Sequence, residues 1–280
     1  MARKTVLRPI VRKLPTKAKE GQFETLEAAR ARVTELEEQQ ALLRKQLREA
    51  RRQSRTAQID TEFALELERR RSQELEEAYY DTVLRLTRAS AYKDRETGAH
   101  IQRVSHYARV LARRLGWDKE DQELIFRAAP MHDVGKIAIP DDLIRKRGSL
   151  DGGDRQVMEA HTLIGANLLE GSNSRLLDMA REIALTHHEH WDGTGYPHHL
   201  VGEQIPIAGR IVMLSDHYDA LRSRRSYKRG IDHESTCRII LEGDGRTMPS
   251  HFDPMLLEIF AKAHGEFELI FEQYKDESQR

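Results

Sequence analysis

Apolar positions along the chain change their period part way. Leu26, Val33, Gln40 and Leu47 stand seven residues apart, and Ala29, Leu36, Leu43 and Ala50 follow each of them by three. That is the a/d seam of a heptad repeat, flanked by Glu, Arg and Gln. A helix that is apolar along one narrow stripe needs a partner. Residues 22–83 are therefore expected to form a helical coiled-coil stalk, dimeric through this seam; a single solvated helix folding back on the next domain is the competing arrangement. The seam weakens over RRQSRTAQID (51–60), where a break is expected, and apolar positions resume at Leu75, Tyr79, Val83 and Leu86.

Beyond this the spacing becomes that of ordinary amphipathic helices: Val104, Tyr107, Val110, Leu111 and Leu115, then Leu124, Ile125 and Ala128, then Val157, Ile164 and Leu168, then Ile183 and Leu185. Alternating β-branched runs are scarce. Breaks are expected at LGWDKED, IAIPDD, RGSLDGGD, EGSNS and WDGTGYP, where Gly, Pro, Asp and Ser cluster. The fold class read from this pattern is all-α, a helical bundle following a stalk.

Composition changes the picture in three places. One third of the 280 residues are charged and 39% are hydrophobic, more polar than one compact core requires, in keeping with a segment that has no core of its own. Lys+Arg and Asp+Glu balance at 46 each, so net charge does not steer the chain toward nucleic acid or an anionic membrane. Residues 1–21 carry seven Lys/Arg before the first acid, Glu20, and read as a basic flexible tail without the interleaved aromatics of a nucleic-acid arm. The single cysteine, Cys237, excludes an internal disulfide framework and a thiolate-rich zinc site. No apolar run reaches the ~20 residues that span a bilayer, and a cytoplasmic location is expected.

The candidate chemistry is a set of histidines and acids within the helical region. Glu96 and His100 stand at i and i+4, on one helix face. His132 and Asp133 are adjacent in PMHDVGKI, His161 is alone in MEAHTLIG, His187 and His188 form a doublet, and Asp216 stands in VMLSDHYDAL. Each has an ordinary reading as a surface pair or a satisfied core histidine. Their conjunction points instead to imidazole and carboxylate ligands for divalent ions, Fe or Mn more naturally than a closed zinc site. Eight candidate ligands exceed the needs of one ion, so two or three are expected. Adjacent helical residues point about 100° apart, which predicts that His187 and His188 serve different ions, or that one of them only supports the other. Paired divalent ions suit phosphoester hydrolysis, with Lys136 a candidate cation for a phosphate oxygen.

The stretches ETGAHIQRV, AAPMHDVGKIAIPD, MEAHTLIGANLL, ALTHHEHWDGTGYP, VGEQIPIAGRIVMLSDHYDALRSRRSYK and HFDP resemble, in order and spacing from Leu84 to Pro254, the HD-GYP branch of the HD phosphohydrolases. The resemblance implies a phosphodiesterase domain over 84–280 that hydrolyses cyclic di-GMP to pGpG or GMP. It implies His132, Asp133, His161, His187, His188 and Asp216 as metal ligands, and Glu96 with His100 as the pair associated with a third ion. It further implies Lys136 and Asp133 as catalytic, with Arg225 and Lys228 as substrate contacts. Tyr196 of the GYP loop is expected to border the substrate pocket as a further substrate contact, and the loop is expected to offer a surface to signalling partner proteins. Departures from the family pattern fall at Arg147, His199, Ser215, His217 and Ser226; losing a glycine at 199 removes residue freedom where a turn needs positive φ. The competing functions are a signalling adaptor with a structural metal site and an HD hydrolase for another nucleotide.

Overall fold

A computed structural model describes residues 26–93, 98–146, 148, 150–223 and 230–275. The basic tail and the positions Glu96, Arg147, Arg225, Ser226 and Lys228 lie outside the described residues. Helices account for the architecture: α1 Leu26–Lys93, α2 Gly98–Arg114, α3 Lys119–Ala128, a 3₁₀ segment Ala129–Ala138, α4 Asp141–Ile144, α5 Gly152–Glu159, α6 His161–Leu169, α7 Arg175–Thr186, α8 Ile207–Arg222, α9 His233–Glu242 and α10 Pro254–Gln273. Among the described residues the one β-type pairing is an antiparallel bridge between Asp192 and Val201. The all-α expectation holds; α2 and α6 stop immediately before the breaks expected at LGWDKED and EGSNS, whereas α3, α5 and α7 end where no break was expected.

Contacts divide the chain into two units, residues 1–74 and 75–280. In the first, α1 runs without the interruption expected at 51–60. That stretch contains neither Gly nor Pro, and its Ser, Thr, Gln and Asp cost only about 0.7 kcal/mol or less each relative to Ala in a helix interior. Thr56 Oγ1 also donates to the Arg52 carbonyl one turn back. A weak seam lowers the demand for a partner without breaking the backbone. Along this unit Val33, Leu36, Leu43, Leu47, Ile59 and Phe63 are exposed.

The second unit is a bundle whose caps are legible in the sequence. Asp118, Asp151 and Asp232 each accept a backbone N–H from the first turn of α3, α5 and α9, satisfying donors that a helix start leaves unpaired. Asp253 does the same before Pro254 at the head of α10. At the core, Tyr107 of α2 stacks on Phe267 of α10, with centroids 4.6 Å apart and planes 4° off parallel. Tyr218 of α8 meets Phe267 edge-on at 5.2 Å. These fully buried rings fix α2 and α8, which both carry candidate ligands. Gly135 allows the 3₁₀ segment to approach α6: a Cβ there would lie 2.0 Å from the His161 carbonyl oxygen and 2.5 Å from the Gly165 nitrogen. The last turns of α1 hold the same segment from the other side, Ser90 Oγ donating to the Val134 carbonyl at 3.1 Å and Lys93 Nζ to the Ile137 carbonyl at 2.8 Å.

Candidate metal centre

Five histidines and two aspartates from α2, the 3₁₀ segment, α6, the end of α7 and α8 converge. Their donor atoms form two adjoining groups, Asp133 with His161, His187 and His188, and His100 with His132 and Asp216. Asp133 stands between them. Its Oδ1 is 3.2 Å from His161 Nε2 and 3.6 Å from His187 Nε2, while its Oδ2 is 3.3 Å from His132 Nε2. Asp216 Oδ1 lies 3.6 Å from His100 Nε2 and 3.9 Å from His132 Nε2.

The local backbone explains the arrangement. In a 3₁₀ helix residues i and i+3 eclipse, so Lys136 falls directly over Asp133, Nζ to Oδ2 at 2.5 Å. The sequence assigned this lysine to a phosphate oxygen; in the structure it faces the carboxylate between the two groups. Burial would raise the Asp133 carboxyl, but Lys136 and the neighbouring imidazoles hold it well below the usual carboxylate range. It is therefore an anion at neutral pH.

Four of the histidines are oriented from behind. His132 Nδ1 donates to the Ala129 carbonyl at 2.9 Å, His161 Nδ1 to Met158 at 2.7 Å, and His187 Nδ1 to Ile183 at 3.0 Å. His100 Nδ1 donates to Asp219 Oδ2 at 2.8 Å. With the proton fixed on Nδ1, each ring turns the Nε2 lone pair toward the carboxylates, the tautomer a metal ligand needs. Burial lowers the pKa values of His187 and His188, which keeps these rings neutral. Neutral nitrogen donors and ionised carboxylates without sulfur fit divalent metal binding.

The two rings of the doublet converge on one donor group, where helical geometry predicts either that they reach different ions or that one of them supports the other. Helix α7 ends at Thr186, and the rings lie 4.1 Å apart, both within the Asp133 group. The 100° rule fixes Cβ directions along a helix; it does not fix where two-bond side chains bring their nitrogens once the helix has stopped. Tyr196 of the GYP turn stacks on His188, with centroids 4.7 Å apart. The loop is thus a wall of the ligand set and more than its rim.

Two carboxylates escaped the sequence reading. Asp219, fully buried, receives His100 Nδ1 and a two-pronged Arg103 contact, Nε to Oδ1 at 2.6 Å and Nη2 to Oδ2 at 2.8 Å. Its signal was the i, i+3 spacing from Asp216 on one helix face. Glu189, also buried, accepts the His198 N–H at 2.7 Å and the Leu200 N–H at 3.1 Å. His199 between them has φ of 55°, which turns both amides onto one carboxylate and confirms that position 199 demands the left-handed conformation a glycine adopts freely. The polar departures on α8 are satisfied: Ser215 Oγ donates to the Ile211 carbonyl, and His217 Nε2 lies 2.8 Å from Thr247 Oγ1.

Residues 84–256 match the HD domain family. The chain is 42% identical over 194 residues to 3'3'-cGAMP-specific phosphodiesterase 2 of Vibrio cholerae, spanning 69% of this chain and 36% of that protein. It is 40% identical over 220 residues to the cyclic di-GMP phosphodiesterase response regulator RpfG of Xanthomonas campestris, spanning 78% and 57%. Against the crystal structure of the Vibrio cholerae cyclic GMP-AMP specific phosphodiesterase V-cGAP3 the TM-score is 0.50 at 18% identity, with 71% of this chain and 51% of that one covered; at that identity the likeness shows the fold. The chain spans between about a third and three fifths of the length of these curated relatives. Taken with the HD pair at His132 and Asp133 and the GYP turn at Gly195 to Pro197, the matched region shows that the chain belongs to the HD domain family, in its HD-GYP branch.

Proposed function

We propose that this chain hydrolyses a 3′,5′-linked cyclic dinucleotide, cyclic di-GMP foremost, using divalent ions held by the two adjoining groups. The observation that carries the reading is the convergence of Nε2 lone pairs on Asp133 and Asp216, with four of the rings oriented through Nδ1. His161, His187, His188 and Asp133 would hold one ion, and His100, His132 and Asp216 a second, with Asp133 standing between the two groups. Such ions supply Lewis-acid polarisation of the phosphodiester and activation of the attacking water. Asp133 is held ionised by Lys136, and Lys136 in turn keeps a cation beside the space where a phosphate would enter. Tyr196, stacked on His188, offers an aromatic face to a guanine or a ribose. Glu96, Arg225 and Lys228 remain assigned by the family resemblance, the first to a third ion and the others to substrate. Fe or Mn suits this sulfur-free donor set best.

The exposed stripe of α1 supports a homodimer through a coiled coil, since large apolar side chains recurring on one helix face call for a partner. No described helix is long and apolar enough to cross a membrane, and a cytoplasmic enzyme is the reading adopted. The test is anaerobic metal loading followed by an assay of cyclic di-GMP and 3′3′-cGAMP with Mn or Fe. Turnover of cyclic di-GMP to pGpG or GMP is expected; a fully metallated protein inert toward both substrates overturns the proposal.

A further inference from the structure

Helices α9 and α10 carry a second set of metal-type donors that the phosphodiester chemistry does not use. His233 and Cys237 are four apart on α9, and His264 and Glu268 are four apart on α10, so each pair emerges on one helix face. The two faces meet. His233 Nε2 lies 2.9 Å from His264 Nδ1, 3.7 Å from Cys237 Sγ and 3.8 Å from Glu268 Oε2. Donor atoms of His233, Cys237 and His264 all fall within 4.8 Å of one another.

We propose that His233, Cys237, His264 and Glu268 form a structural, zinc-type cation site that clips α9 to α10. Two imidazoles, one thiolate and one carboxylate make a mixed nitrogen, sulfur and oxygen set of the kind zinc accepts in tetrahedral coordination. Bonds of 2.0–2.3 Å to a tetrahedral ion put neighbouring donors about 3.3–3.8 Å apart. Cys237 and Glu268 already stand at that spacing from His233; the two imidazoles need to part by a few tenths of an ångström, and the Glu268 carboxylate, which lies outside the 4.8 Å set, needs to swing in toward the other donors. Tyr218 Oη lies 2.8 Å from His233 Nδ1, on the ring's far side, where it fixes Nε2 as the nitrogen facing the cluster. Tyr218 and His264 take the two ring nitrogens of His233 by hydrogen bonding, and Cys237 Sγ stands 3.8 Å from Nδ1 and 3.7 Å from Nε2. A cation on Nε2 would draw the thiolate, both imidazoles and the carboxylate to one point. Burial pushes the Cys237 thiol up to about 11, so the thiol is an unreactive neutral group until an ion displaces its proton. Glu268 is partly exposed and leaves a route of entry from solvent.

Cobalt(II) titration of the metal-free full chain tests this independently of hydrolysis. Cys237 is the single cysteine, so a thiolate-to-cobalt charge-transfer absorption can arise only here, whatever cobalt does among the ligands of the other cluster. The expected result is a band that saturates at one equivalent per chain, persists in the His132→Ala/Asp133→Ala variant, and disappears in Cys237→Ser with the loss of one bound cobalt. His264→Ala and Glu268→Gln, toward solvent, should each weaken the band's apparent affinity at least about tenfold, and they keep the test decisive should Cys237→Ser fail to fold. A wild-type chain that binds cobalt without a charge-transfer band, or a band of unchanged affinity in His264→Ala, overturns the proposal.

Discussion

Asp219 shows how much of a candidate metal centre is carried by residues outside the donor groups. Its carboxylate closes a buried network with His100 Nδ1 and the Arg103 guanidinium, and Arg103 has almost no solvent exposure. Asp219→Asn removes the carboxylate that meets that buried guanidinium at two points, so a loss of about 3–5 kcal/mol is expected, read from urea denaturation at neutral pH. The same variant releases the His100 ring and should lower metal content at the Asp216 group before that at the Asp133 group. His199 supplies a contrasting case, since a non-glycine residue in the left-handed region costs about 1–2 kcal/mol. His199→Gly is expected to raise the midpoint of thermal unfolding while leaving the His198 and Leu200 amides on Glu189; a lower midpoint would show that the imidazole itself holds the loop. The candidate ligand histidines were legible as a cluster because imidazole clusters are rare and their motifs short. Asp219 and Glu189 were not, because their partners lie 116 residues away in one case and depend on a single backbone dihedral in the other.

At the scale of elements, the 3₁₀ segment Ala129–Ala138 decides the centre. It eclipses Lys136 over Asp133 and presses Gly135 against the His161 carbonyl. Gly135→Ala forces backbone apart from backbone on the strand of chain that carries both His132 and Asp133. A destabilisation of at least about 1–3 kcal/mol and a fall in bound metal are expected together, measured by denaturation and by elemental analysis; metal retained at full stoichiometry would show that the segment tolerates the shift. Helix positions were readable from the 3.6 period; the Asp caps at their starts went unread, although an Asp stands before α3, α5, α9 and α10. The tighter winding of this one segment was not, because hydrophobic spacing over ten residues does not separate three residues per turn from 3.6. The uninterrupted α1 was also misread at 51–60, where a lapse in the seam imitated a break although no helix-breaking residue is present.

At the scale of the molecule, the heptad stripe of α1 and the ligand-bearing bundle belong to different units of one chain. The last turns of α1 lie in the second unit and hold the 3₁₀ segment that carries Asp133 through Ser90 and Lys93. Deleting residues 1–70 is expected to turn a dimer into a monomer by light scattering and to change turnover while metal content stays constant; an unchanged oligomeric state and rate would detach the stalk from both roles. The claim on which the rest depends is that the histidine and aspartate groups hold the ions that make hydrolysis possible. It is tested most directly by measuring, in one anaerobic preparation, bound Mn or Fe and cyclic di-GMP turnover for the wild-type chain and for His132→Ala/Asp133→Ala. The account predicts that the wild type binds at least two ions and converts the substrate, whereas the variant loses bound metal and turnover together. Turnover undiminished in the variant would contradict it.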